Sequence, residues 1–222
     1  MPRVKHVHLK DTCRLVPSRF PAVGILDAVA TPEDLPLVLE LESWSNDRVS
    51  NELGILHAVA LDEWVTGRPM STVIMAAFCH PRAEGGRFND PERGAWYAGT
   101  EVETAHAEVI FHRTAELAEI GVLETRMQMR LYLADFNAPF HDIRSHSPEN
   151  LPYHDPDSYQ ASGALARDLL ASGSNGVFYR SPRRPGGECI ACFRPKLVGN
   201  VRPDAQFEYR WEGSSSPRIW QI

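Results

Sequence analysis

The chain has 222 residues, of which 43% are hydrophobic and 23% are charged, and its 29 acidic and 23 basic side chains give a net charge of −6. This composition is typical of a folded globular protein and argues against intrinsic disorder. The acidic balance excludes a general attraction to nucleic acid or to acidic membranes, so we expect neither as a direct partner. The length favours a single domain over residues 1–222.

The amino-terminal region predicts a cytoplasmic protein. Residues 1–15 lack the continuous apolar stretch of a signal peptide, and no run approaches the ~18 apolar residues of a membrane span. The cysteines are too few to suggest a disulfide framework, so we expect reduced thiols, which are usual in the cytoplasm. They are Cys13, Cys79, Cys189 and Cys192.

The first half of the chain contains one helix pattern and two strand patterns. A helix is predicted from Thr31 to about Trp44, because Thr can cap it and the proline that follows suits a first turn. The β-branched and apolar run Ser71–Cys79 predicts a buried strand, and Gly94–Ala98 predicts a short one. His80 is expected to be a half-buried structural histidine, or else to lie at the mouth of a cleft.

Two further helices are predicted in the second half. Thr100 to Glu103 form a capping-box pattern, in which each side chain can bond the other residue's amide, and a helix should follow to about Gly121. The stretch Ser158–Ser172 carries leucines at helical spacing and ends before Gly173, a residue type that favours a helix end.

The remaining patterns predict loops and short strands. Residues 138–157 and 180–187 are rich in turn-forming residues and predict loops. Because helices and strands do not alternate regularly, an α+β fold is favoured over a doubly wound sheet. The apolar or alternating runs that predict strands are Met127–Leu133, Val177–Tyr179, Cys189–Phe193 and Phe207–Trp211.

Three residue types with ligand-binding chemistry follow one another between positions 85 and 108. Gly85 and Gly86 permit a tight backbone before Arg87, whose planar guanidinium can grip a phosphate through two hydrogen bonds. Tyr97 lies in a short apolar strand, where its ring can cover a flat heterocycle or fill the core. Glu108 falls at the border of a helix's apolar arc, where it can face a cleft or form a surface ion pair.

The order and spacing of these segments resemble the RES-domain proteins, a family named for an Arg, a Glu and a Ser. Those three residues correspond here to Arg87, Glu108 and Ser181. The resemblance covers most of the second half of the chain. It runs through residues 85–89, 96–97, 105–108, 173–181, 186–187 and 193–202.

The resemblance implies a fold and a set of boundaries. The implied fold is ADP-ribosyltransferase-like, with a mixed β core flanked by helices, as a single domain with an N-terminal helical elaboration. Its core would extend from Arg14 to Arg202, with an inserted helical segment at about residues 31–67. An amino-terminal Arg also recurs in the family. Arg14 is our assignment for it, and Arg19 is the competing choice.

The resemblance also implies a function, namely that of a bacterial toxin from a type II toxin–antitoxin system. Such a protein would bind NAD+ as its substrate through Arg87, Tyr97 and Arg14. It would cleave the nicotinamide–ribose bond with Glu108 and Ser181, without a metal. Water, phosphate or a protein side chain would accept the ADP-ribosyl group. The implied partner is an Xre-type antitoxin, and a homodimer and a protein target of ADP-ribosylation are left open.

Two alternative functions remain at this stage. His106 and Glu108, together with Cys189 and Cys192, are similar to the His-x-Glu and Cys-x-x-Cys patterns of zinc-dependent nucleoside deaminases. Against a shared zinc ion, residues three apart in a strand point to opposite faces, and Glu188 stands where those enzymes place Pro. The second alternative is a non-enzymatic NAD-binding or protein-interaction module.

Overall fold

A mixed β-sheet forms the framework of the computed structural model, which describes residues 1–20, 24–28, 31, 33–34 and 58–222. The strands in these residues are β1 (Val4–Pro17), β2 (Trp96–Gly99), β3 (Glu124–Asp142), β4 (Gly176–Arg180), β5 (Glu188–Cys192), β6 (Gly199–Glu212) and β7 (Arg218–Gln221). The α-helices are α1 (Ile25–Ala28), α2 (Ser71–Cys79), α3 (Val102–Glu119) and α4 (Gln160–Ala171). Short 3-10 helices lie at Leu61–Glu63, Leu151–His154 and Pro195–Leu197.

The strand pairings close part of the sheet into a ring. The strand order is β1-β2-β5-β4-β3-β6-β7, and β1 also pairs with β3. β1, β2, β5, β4 and β3 therefore form a closed cycle, and β6 and β7 extend from it along β3. The β3–β4 pairing is parallel and the others are antiparallel. The predicted α+β fold, with a mixed β core flanked by helices, is confirmed.

Each of the three longer helices covers its own apolar cluster of the core. The α2 cluster contains Phe78, the α4 cluster contains Leu169 and the α3 cluster contains Leu117. Successive side chains of β2 divide between two of these clusters, since neighbours in a strand point to opposite faces. Trp96 is buried in the α2 cluster, whereas Tyr97 packs against the α4 cluster.

The prediction of a strand at Ser71–Cys79 is wrong, because this segment is helix α2. Seven of its nine residues are buried. A helix that is buried on nearly all sides has no polar face, so its sequence lacks the 3.6-residue periodicity that distinguishes a helix from a buried strand. His80 ends α2 through a backbone bond to Ala76 and is exposed rather than half-buried.

The helix after position 100 is confirmed, but its predicted cap is wrong. α3 begins at Val102, its N-cap residue is Glu101, and no side chain caps it. The hydroxyl of Thr100 instead donates to the carbonyl of Glu188, at 3.2 Å. Gly121, with φ +68°, follows the last turn of the helix. The helix predicted within 158–172 is confirmed as α4.

The sequence patterns did not indicate the length of β3 or the presence of β1. β3 continues to Asp142, so the beginning of the predicted loop 138–157 is strand. β1 was not predicted. The two strands pair from Val4 opposite His141 to Pro17 opposite Met129. Each strand is therefore hydrogen-bonded to the other along most of its length.

The predicted helix from Thr31 to Trp44 lies almost entirely outside the described residues, as does most of the segment 31–67. The described end of that segment is fastened to the core by Glu63, which accepts hydrogen bonds from Arg93, at 2.6 Å, and from Arg194. In the described part of the chain, no helix is long and apolar enough to span a membrane.

Candidate active site

The turn before β2 presents Arg87 and contains two glycines. Gly85 has φ +77°, and the N–H of Gly86 donates to the carbonyl of Asn89, at 2.9 Å. A Cβ at Gly85 would lie 2.7 Å from the Asn89 carbonyl oxygen, and one at Gly86 would lie 2.4 Å from Asn89 Oδ1. At Gly85 the added carbon would meet a backbone carbonyl at a positive φ, so this position requires glycine, whereas at Gly86 it would meet the end of the Asn89 side chain.

Arg87 is a buried cation that has a free donor. Its side chain is 6% exposed, and its Nη1 donates to the carbonyls of Tyr153, at 3.2 Å, and Asp155, at 2.7 Å. The ring of Tyr159 covers the guanidinium, with 4.5 Å between the central carbon and the ring centroid. Nη2 is buried and has no hydrogen-bond partner among the described residues. A buried, unsatisfied guanidinium nitrogen fits a site that receives an anionic ligand.

Tyr97 braces the turn that carries Arg87. Its hydroxyl accepts a hydrogen bond from the N–H of Phe88 and donates one to Asn89 Oδ1, both at 2.8 Å. Burial raises the pKa of Tyr97, so the phenol stays neutral, while the nearby charges of Arg87 and Arg14 act in the opposite direction. The two guanidiniums therefore both lie close enough to act on this hydroxyl.

Arg14 reaches β2 from β1, whereas Arg19 does not. Nη1 of Arg14 donates to the carbonyl of Tyr97, at 3.1 Å, and the guanidinium lies 4.9 Å from the Trp96 ring centroid. Burial lowers the pKa of Arg14 to about 10, which leaves it charged at neutral pH. Arg19 is exposed and covers the exposed ring of Phe20. Of the two candidates, Arg14 is the one beside Tyr97.

Glu108 and Ser181 are in direct contact although 73 residues separate them. Ser181, which is buried in the loop after β4, donates its hydroxyl hydrogen to Glu108 Oε1 on α3, at 2.6 Å. The same hydroxyl oxygen accepts the backbone N–H groups of Arg183, at 3.1 Å, and Arg184, at 3.2 Å. With its oxygen engaged by two donors, Ser181 is arranged to orient Glu108 rather than to act as a nucleophile.

The loop that bears Ser181 is held against the beginning of α3. Arg184 Nη1 donates to the carboxylate of Glu101 and to Thr104 Oγ1, the latter at 3.0 Å. Gly187 approaches the same threonine so closely that an added Cβ would lie 2.7 Å from Oγ1. These contacts fix the position of Ser181 over the helix that carries Glu108.

The pKa of the Glu108 carboxyl is raised by burial, the largest effect on it. The hydrogen bond from Ser181 and the charges of Arg183 and Arg87 oppose this rise. Arg183 was not singled out from the sequence, where Ser181 was the one residue of the loop 180–187 that was assigned a role. The half-buried Glu108 is thus under the influence of two cations and accepts a hydrogen bond from Ser181.

Sequence reasoning also missed His112 and the segment that covers Arg87. His112 lies one turn after Glu108, and its Nδ1 accepts a hydrogen bond from Arg82 Nη1, at 2.9 Å. Burial, with the nearby guanidiniums of Arg82 and Arg183, lowers the pKa of His112 to about 3, so it is neutral. Tyr159 gave no signal beyond its place at the beginning of the predicted helical stretch Ser158–Ser172.

The four residues of the zinc-deaminase pattern do not converge. His106 Nδ1 is paired with the hydroxyl of Tyr209, away from Glu108, which meets Ser181. Cys189 packs in the α4 cluster and Cys192 in the α2 cluster, on opposite faces of β5. No group of three or more potential metal-ligating side chains occurs among the described residues.

Comparison with known proteins assigns the family. The family model of the RES domain matches residues 56–212. Since this match covers more than half of the chain, the chain belongs to the RES domain family, and the resemblance seen in the sequence is confirmed.

Two individual proteins show similarity over most of the chain. The uncharacterized protein y4oC of Sinorhizobium fredii (strain NBRC 101917 / NGR234) is 27% identical over 215 residues, which are 94% of this chain and 86% of that protein. A chain of the crystal structure of the M. tuberculosis MbcT–MbcA toxin–antitoxin complex is 12% identical with a TM-score of 0.46, covering 90% of this chain and 85% of that one.

Proposed function

We propose that this protein binds NAD+ and breaks the bond between nicotinamide and ribose, as the toxin of a type II toxin–antitoxin system. One observation carries the proposal: the carboxylate of Glu108, held by Ser181, lies within the electrostatic influence of the buried guanidinium of Arg87. Membership of the RES domain family supports the choice of NAD+ as substrate. The enzyme is accordingly an NAD+ glycohydrolase, a phosphorylase or a mono-ADP-ribosyltransferase.

Binding of NAD+ is assigned to the two cations and the tyrosine that joins them. Arg87 offers its free Nη2 to the pyrophosphate, and Arg14, which donates to the Tyr97 carbonyl, supplies a second positive charge. Tyr97 packs beside the nicotinamide ribose or ring. Because its hydroxyl is already bonded to the Arg87 turn, its ring is held in place before the ligand arrives.

Cleavage is assigned to the charge of Glu108. As the glycosidic C–N bond breaks, both bonding electrons go to the nitrogen, so nicotinamide leaves as a neutral base and positive charge builds on the ribose. A carboxylate oriented by Ser181 stabilises this oxocarbenium-like state, and does so more strongly in a partly dehydrated site than in water. Water, phosphate or a protein side chain then supplies the electron pair that closes the new bond to the ribose.

An Xre-type antitoxin is proposed as the partner. An enzyme that consumes NAD+ without control would stop the growth of its host, so a bound partner must block the site. The guanidiniums of Arg87 and Arg14 favour a blocking segment that places a carboxylate near them. Neutralisation would then compete with NAD+.

The test is mass spectrometry of NAD+ after incubation with the purified chain and with Glu108→Gln. The variant should bind NAD+ within several-fold of wild type and turn it over ~10² times more slowly, because the charge acts mainly in the transition state. Glu116→Gln, on the same helix but paired with Arg82 and Arg113, is the matched control and should keep full activity.

Three results would contradict the proposal. These are wild-type turnover by Glu108→Gln, an equal loss in the control, and binding of NAD+ without any cleavage by the wild-type chain. The last of these would favour the non-enzymatic NAD-binding module. The product, whether ADP-ribose, its phosphorylated form or protein-attached ADP-ribose, identifies the acceptor.

A further inference from the structure

We propose that Arg183 is a positioning residue for the reaction, which keeps Glu108 ionised and fixes the distance between Glu108 and the cation Arg87. This inference rests on the proposed function. Arg183 contacts both the helix that bears Glu108 and the segment that holds Arg87, and no sequence motif pointed to it.

The backbone and the side chain of Arg183 approach Glu108 from two directions. Its N–H donates to Ser181 Oγ, at 3.1 Å, and that hydroxyl in turn holds Glu108. Its guanidinium lies over the ring of Phe111, 3.2 Å from the centroid. Phe111 is three positions after Glu108 on α3, and residues at this spacing lie on the same face of a helix. The guanidinium therefore lies on the face of α3 that presents the carboxylate.

The far end of Arg183 holds the same chain segment as Arg87. Nη2 of Arg183 donates to the carbonyl of Pro156, and Nη1 of Arg87 donates to the carbonyl of Asp155, each at 2.7 Å. Two guanidiniums thus bind consecutive carbonyls of one segment, which sets their separation. Nε of Arg183 is buried and has no hydrogen-bond partner among the described residues.

Arg183 forms no ion pair with an acidic side chain among the described residues. None of the salt bridges in the described part of the chain includes it, whereas its neighbour Arg184 is paired with Glu101. Among the described residues, Arg183 and Arg87 act electrostatically on Glu108, and Glu108 acts on Tyr179 and Cys189. His112 lies one helical turn after Glu108 and feels the same two guanidiniums. Tyr179, Cys189 and His112 are neutral, because burial lowers the pKa of the histidine and raises the pKa values of the phenol and the thiol. Arg183 and Arg87 are therefore the two cations that oppose protonation of Glu108.

The pH dependence of NAD+ cleavage tests this role. Without the positive charge the pKa of Glu108 rises, so a higher pH is needed to ionise it. Arg183→Gln should move the acid limb of kcat/KM upward by about one pH unit. Arg183→Lys should restore the limb. The control is Arg113→Gln, which removes one positive charge from α3, the helix of Glu108, at a side chain paired with Glu116. This variant should leave the acid limb of kcat/KM unchanged.

A titration of Glu108 that needs no substrate separates this inference from the proposed function. In the full chain without NAD+, 13C NMR should give a higher pKa for the Glu108 carboxyl in Arg183→Gln than in wild type. If the wild type does not cleave NAD+, the proposed function fails, yet the titration still decides the role of Arg183.

A folded Arg183→Gln variant with an unchanged Glu108 titration overturns the inference. If circular dichroism shows that this variant does not fold, Phe111→Leu replaces it, since that change removes only the ring on which the guanidinium lies. A raised pKa of Glu108 in Phe111→Leu then supports the inference, and an unchanged value overturns it.

Discussion

At the scale of single residues, the burial of Glu108 affects the stability of the fold. Burial raises its pKa, so the folded protein holds the proton more tightly than the unfolded chain does. The stability linked to this group is then fully present below the unfolded-state pKa and is lost as the pH rises through the folded-state pKa. At neutral pH, ionised Glu108 therefore destabilises the fold that holds it.

Glu108→Gln should accordingly unfold at a higher temperature than wild type at neutral pH. The amide keeps an oxygen that can accept the Ser181 hydroxyl but carries no charge to dehydrate. The difference in unfolding temperature should shrink as the pH is lowered below the folded-state pKa of Glu108, where the wild-type side chain is also neutral. Thermal unfolding at several pH values measures this. A variant that is less stable than wild type at neutral pH would show that the charge of Glu108 is favourable to the fold.

At the scale of elements, the turn Gly85–Asn89 sets the position of Arg87. The turn is closed by the bond from Gly86 to Asn89 and braced from outside by the Tyr97 hydroxyl. Tyr97 belongs to β2, so the position of Arg87 depends on how β2 packs against the turn that precedes it. A side chain added inside the turn would have to displace a backbone carbonyl.

Gly85→Ala tests this turn against a matched control. Gly85 and Gly213 share φ +77°, so alanine meets the same left-handed strain at both. Only at Gly85 does the new Cβ meet a carbonyl, at 2.7 Å, whereas nothing lies within 4 Å of it at Gly213. Gly85→Ala should therefore lower the free energy of unfolding by about 1–3 kcal/mol more than Gly213→Ala does, and it alone should weaken NAD+ binding. Urea unfolding and binding titrations provide the two measurements. Equal losses in both variants would mean that the turn can open at no cost.

At the scale of the whole molecule, a locally cationic site is built into an acidic protein. The net charge is −6, yet Arg14, Arg87 and Arg183 gather around Tyr97 and Glu108. Total charge reports on long-range attraction and not on a pocket a few residues wide. The acidic balance is thus compatible with an anionic substrate such as NAD+.

Expression in a bacterial host tests the proposed biological role. The wild-type chain should arrest growth as cellular NAD+ falls, and Glu108→Ala should not. Co-expression with the product of the adjacent gene, the candidate antitoxin, should restore growth. Arrest by Glu108→Ala equal to that of wild type would show that toxicity does not depend on this chemistry. Absence of arrest by wild type would favour a housekeeping enzyme that uses NAD+.

The order of helix and strand patterns in the sequence was sufficient for the fold class, and the order and spacing of the family's segments were sufficient for the family and indicated the candidate site residues. Arg87 follows a glycine pair of which Gly85 has a positive φ and no room for a Cβ, and helix α4 carries leucines at helical spacing and ends before Gly173, signals that a short window can detect. The strand prediction at Ser71–Cys79 failed for the opposite reason. That segment is surrounded by other elements, and only they determine that it is helical.

The tertiary structure decided what each of these residues meets. Ser181 is placed on Glu108 by a loop that docks on α3, and Arg14, unlike Arg19, contacts Tyr97 because β1 pairs with β2. Arg183 became visible only through its contacts with Phe111 and Pro156. All these contacts join residues far apart in the chain, and their geometry depends on the packing of whole elements. No periodicity or spacing in one sequence encodes such contacts.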